Sequence, residues 1–128
     1  MPFAQARHPN RLQAVQTRIV EDLLEMLESH GQKPVDAIIE MLEDLHLFGR
    51  DSRYVRKMKT PLVWELKTQS RGGVKGGARV YFFVDQDEQI VVVNAECKDG
   101  DEPSLQKLKE VTTIALAHIN GIAVVRGA

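Results

Sequence analysis

Cysteine, long apolar runs and net charge are all scarce in this chain. Cys97 is the single cysteine, which excludes an internal disulfide, and its place in an apolar strand-like run suits a small core residue better than a nucleophile. The longest apolar runs, residues 80–84 and 90–93, are too short to span a bilayer, and the opening MPFAQARHPNR lacks an apolar stretch of signal-peptide length. The expectation is a soluble cytoplasmic protein with no membrane partner. The four histidines, at 8, 30, 46 and 118, lie far apart with no carboxylate or cysteine at ligand spacing, so neither a metal nor another cofactor is expected. The serines form no Gly-x-Ser-x-Gly elbow, which leaves serine hydrolase chemistry without support.

The chain does have enough apolar material, 43% of 128 residues, for one continuous core, and a single domain over residues 1–128 is expected. The net charge of −1 conceals three blocks. Residues 1–50 carry 5 Lys/Arg against 8 Asp/Glu, residues 51–84 carry 8 against 2, and residues 85–128 carry 4 against 8. The basic middle block is a candidate local anion-binding surface, although a chain acidic overall gains no long-range steering towards nucleic acid.

Over residues 10–29, Leu12, Val15, Ile19, Leu23, Met26 and Leu27 recur at helical spacing, and His30-Gly31 ends the helix. Glu21, Glu25 and Glu28 share its other side with Arg18 and read as a solvated, ion-paired face. Pro34 suits the first turn of a second helix with the stripe Val35, Ile38, Ile39, Leu42 and Leu45, stopped by Gly49, and about four residues join the two into a hairpin. Residues 50–59 read as a polar, basic connection. Leu62, Trp64 and Leu66 alternate as one face of a strand, residues 69–77 as a loop, 78–84 as a strand, 85–88 as a tight turn and 89–97 as a further strand. Pro103 sits where a third helix begins, with Leu105, Leu108, Thr112, Ala115 and Ile119 as its stripe up to Asn120-Gly121.

The stretch SRGGVKGGARVYFF, residues 70–83, is glycine-rich and basic. A nucleotide phosphate loop needs a following helix and a lysine succeeded by Ser or Thr, and here Lys75 is succeeded by Gly-Gly-Ala-Arg and a strand. The glycines fit a hairpin loop, from which Arg71 and Lys75 could touch phosphate.

The order helix, helix, basic connection, PLVWELKT, GGARVYFFV and QIVVVNAECKDGDEPSLQKLKEVTTIAL resembles the RelE/HigB toxin superfamily, in its phage-derived HigB-like branch. The matching residues are Val63-Trp64-Glu65-Leu66-Lys67, Gly76-Gly77, Arg79-Val80-Tyr81-Phe82, Ile90-Val91-Val92-Val93, Lys98 and Pro103. The resemblance spans roughly residues 8–120. It implies an α+β fold, with an N-terminal helical hairpin, a twisted antiparallel sheet of three to four strands and a C-terminal helix, in which PFAQAR could be a short first strand. It implies a type II toxin that cuts mRNA on the ribosome without a metal and is silenced by a cognate antitoxin. In that chemistry the 2′-hydroxyl attacks the adjacent phosphate while side chains move protons and stabilise charge. Carried over, Arg79 grips the scissile phosphate, Lys98 stabilises the transition state, and Tyr81 stacks or hydrogen-bonds. Arg53, Arg56, Lys57 and Lys59 line the RNA path. The chain departs from the pattern at Lys98-Asp99, where a second lysine is usual, at Ala78 in place of an aromatic, and in lacking a tyrosine after Lys98. Asp99, Asp101 and Glu102 bring like charge to the phosphate's place. The alternative is a non-catalytic protein of the same fold that binds a topoisomerase or an antitoxin, or a phage-derived protein without toxicity.

Overall fold

A computed structural model describes residues 11–15, 18–60, 62–68, 77–97 and 103–121. Among these residues five strands form one mixed sheet: β1 (Arg11–Val15), β2 (Val55–Lys57), β3 (Trp64–Lys67), β4 (Ala78–Val84) and β5 (Gln89–Cys97), in the spatial order β1-β5-β4-β3-β2. Helices α1 (Arg18–His30) and α2 (Gln32–Phe48) cover one face, and α3 (Leu105–Ile119) covers the other. The architecture is α+β, with the two N-terminal helices, four consecutive antiparallel strands and the C-terminal helix, as the resemblance implies. No described helix is long and apolar enough to cross a membrane.

Strand parity builds the two cores. Leu66, Val80, Phe82, Ile90 and Val92 point to α1 and α2, where Ile19, Met26, Ile38, Met41 and Leu45 meet them. Val63, Tyr81, Phe83, Val91 and Val93 point to α3 and its Val111, Ile114 and Ala115. A sheet covered on both faces explains why β4 and β5 read as near-continuous apolar runs instead of alternating ones. One residue of β5 is extra: Phe82 pairs with Val92 but Tyr81 pairs with Asn94, so Val93 forms a bulge. The bulge flips the parity of everything after it, putting Asn94 and Glu96 on the α3 face and Ala95 on the other.

Several expectations need correction. The helix anticipated over 10–29 begins at Arg18, because residues 11–15 pair in parallel with Gln89–Val92 as an edge strand; apolar spacing over five residues fits either period, and the available sheet edge decides. The PFAQAR segment lies outside the described residues. The basic connection folds as a 3₁₀ turn at Gly49–Asp51 and the edge strand β2, antiparallel to β3. Only Gly31, at φ 84°, separates α1 from α2. Leu62 precedes β3 and packs towards α3, away from the Trp64 and Leu66 face. On α3 the buried stripe is Val111, Ile114 and Ala115, while Leu105 is 84% exposed. Ile39 and Leu27, assigned to the helical core, are also exposed. The turn at 85–88 forms as expected, with Asp85 accepting backbone N–H bonds from Asp87 and Gln89 and Glu88 at φ 60°.

Candidate functional site

Register assembles a polar cluster on the α3 face of the sheet, at the end where β4 begins and β5 ends. One cross-strand row runs Arg56, Glu65, Tyr81, Asn94, and the next runs Lys67, Arg79, Glu96. Arg79 is fully buried, its Nη1 3.7 Å from Glu65 Oε2. Burial pushes the Glu65 carboxyl up, against the opposing pull of Arg79 and Lys67. The Tyr81 hydroxyl donates to Glu96 Oε2 at 2.6 Å, and the same oxygen accepts the Ser104 backbone N–H at 2.9 Å. Burial and that carboxylate hold the phenol far above its ordinary value, so it stays neutral.

The cluster is tied to the helices around it. Ser104 caps α3 by accepting from the Lys107 N–H, which fixes where the helix starts. Asn94 donates to the Lys107 carbonyl and to Glu110 Oε1. Glu110 pairs with Arg18, so that arginine leaves the acidic face of α1 on which its spacing placed it. Asp22 is buried, pairs with Lys107, and accepts the Ala95 N–H at 3.0 Å. Asp22 thereby satisfies the edge of β5 beyond the last β1 pair, Val15 with Val92.

The anticipated site residues separate into three groups. Arg79 and Tyr81 lie on the same face of β4, both are fully buried, and Tyr81 offers no exposed ring for a base to stack on. Arg53, Arg56, Lys57 and Lys59 are exposed along β2 and its flanks. There the cations rest against aromatic rings: Arg53 over Tyr54 at 5.0 Å, and Lys57 at 6.0 Å and Arg50 at 5.3 Å over Trp64. Arg56 donates to the carbonyls of Arg53 and Val55. Lys98, Arg71, Lys75 and the acids Asp99, Asp101 and Glu102 lie outside the described residues. Sequence reasoning missed Glu65 and Glu96 as neighbours of Arg79 and Tyr81. Strand parity already put Glu65 opposite Trp64 and Leu66, but only the β3–β4 register aligns it with Tyr81, and the β5 bulge brings Glu96 to the same face. Among the described residues no three His, Cys, Asp or Glu side chains gather as a metal site.

Fold and cluster define a small α+β protein with an internally paired charged centre and a basic sheet edge. The chain belongs to the phage-derived Gp49-like protein family (DUF891), whose model matches residues 9–116. No curated protein matches it.

Proposed function

We propose that this Gp49-like chain is the toxin of a type II toxin–antitoxin pair, acting in the cytoplasm as a ribosome-dependent mRNA endoribonuclease held silent by a cognate antitoxin. The observation that carries the reading is the exposed edge of Arg53, Arg56, Lys57 and Lys59 beside the Glu65–Arg79–Tyr81–Glu96 cluster. The edge supplies cations that track a phosphate backbone. The cluster supplies a carboxyl made more basic by burial, able to accept the 2′-hydroxyl proton, and a guanidinium suited to the phosphate. Lys98, which the resemblance adds to this chemistry, follows Cys97 in the sequence. Phosphate contact requires Arg79 to leave its buried pairing with Glu65.

A second reading, a non-catalytic protein binder of the same fold, draws on that pairing: Glu65 faces Arg79 at 3.7 Å and Glu96 accepts from Tyr81, both inside the protein. An edge strand also gains from exposed cations as protection against strand pairing with another chain. The discriminating experiment maps mRNA 5′ ends on translating ribosomes with purified protein, beside Arg79→Ala, Lys98→Ala and Glu65→Gln. New cuts within codons, lost in folded variants, support the nuclease. Intact mRNA at saturating protein sinks it and leaves the binder.

A further inference from the structure

The solvent side of the α1–α2 hairpin carries an unusual combination of groups. On α1, Val20, Leu24 and Leu27 recur at i, i+4 and i+7 and are 54%, 61% and 41% exposed. On α2, Ile39 and Leu47 are 44% and 50% exposed, at a shallow depression of about 410 Å³ lined with Leu42, Glu43 and His46. The two helices lie in contact, joined through Gly31 alone. Helices of this kind normally turn such positions to water with polar side chains. Contiguous exposed apolar side chains bounded by polar ones mark interaction surfaces.

The boundary on the helices is acidic, and Glu40 meets Arg53 of the basic edge at 3.9 Å. Glu21, Glu25 and Glu28 on α1 and Asp36, Glu40 and Glu43 on α2 are all exposed. The exposed Lys and Arg of the same two helices are Arg18, which is drawn to Glu110, and Lys33. Exposed apolar side chains among carboxylates complement a helix that carries apolar side chains among cations. It repels an acidic helix and an anionic membrane surface.

We infer that the outer face of the α1–α2 hairpin is a docking surface for a cationic amphipathic helix of a protein partner. Leucine and isoleucine on α1 and α2 take the partner's apolar stripe, and Glu21, Glu28 and Glu43 take its lysines and arginines. The surface is independent of the RNA reading, since it uses none of Arg53, Arg56, Lys57, Lys59, Arg79 or Lys98.

The test is titration of the full chain against a fluorescent helical peptide built of Leu and Lys at helical spacing, followed by anisotropy, beside the counterpart with Glu for every Lys. The lysine peptide is expected to bind at least tenfold more tightly, and its binding to weaken with salt. Leu24→Gln/Ile39→Gln keeps every charge and changes only exposed side chains. It is expected to weaken the lysine peptide tenfold or more, which separates docking from bulk attraction to carboxylates. Glu21→Lys/Glu43→Lys is expected to weaken it and to rescue the glutamate peptide. Equal binding of both peptides, or unchanged binding to Leu24→Gln/Ile39→Gln, overturns the inference. So does a dimer in sedimentation that this variant dissociates, because the occupant would then be a second copy of the chain.

Discussion

Arg79 and Glu65 show what a buried ion pair costs to break and how little it costs to replace. Arg79→Met leaves the Glu65 carboxylate buried and is expected to lose about 3 kcal/mol of unfolding free energy, while Arg79→Met/Glu65→Leu recovers most of it, as urea denaturation of the two variants will read. Glu65 also sets a pH dependence. Its folded value is raised by burial above the 4.5 of the free carboxyl, so the folded state holds the proton more tightly than the unfolded chain. Stability then rises as pH falls through the folded value and is fully gained below 4.5. Glu65→Gln flattens that segment of a urea-midpoint profile against pH, and an unchanged slope contradicts the assignment. Tyr81→Phe removes the donor to Glu96 and is expected to cost about 1 kcal/mol. At this scale the sequence was partly legible. Arg79 and Tyr81 share a face by simple alternation, but Glu65 reaches them through the β3–β4 register and Glu96 only through one extra residue in β5.

The elements were more legible than their edges. Helices α2 and α3 and strands β3, β4 and β5 follow from apolar spacing and punctuation by Gly31, Gly49 and Pro103, because each packs a long stripe or run against a large surface. The two outer strands escaped because β1 has five residues and β2 three, too few to establish a period, and what defines them is pairing with distant partners. The phase of α3 was misread at Leu105, which lies across the helix from the buried Val111, Ile114 and Ala115. Joints between elements carry their own expectations. Gly77 sits at φ 70°, and a Cβ there would stand 2.2 Å from Thr68 Oγ1. Gly77→Ala should therefore destabilise by more than about 1 kcal/mol in thermal or urea unfolding. Asp22→Ala strips the Ala95 N–H of its acceptor and Lys107 of its counter-charge, with a loss of about 2 kcal/mol expected by the same measurement.

For the molecule as a whole, the separation of charge between a basic sheet edge and an acidic hairpin matters more than the sum of −1. If single-stranded RNA lies along Arg53, Arg56, Lys57 and Lys59, four neutralised phosphates give a log–log salt slope of roughly −3. Arg56→Glu/Lys57→Glu should about halve it in filter binding across a salt series, and salt-independent binding would contradict an electrostatic RNA path. The parallel pairing of β1 with β5 reaches further still. Arg11 finds its partner in Gln89, so during synthesis the first strand waits without a neighbour until most of the chain has been made. The α1–α2 hairpin emerges early but has no sheet to rest on, and its exposed leucines are then joined by the ones destined for the core. Closure of the sheet is therefore a late event, slow for so small a domain, and the nascent chain is most exposed to aggregation and to chaperones in the interval before β5 leaves the ribosome.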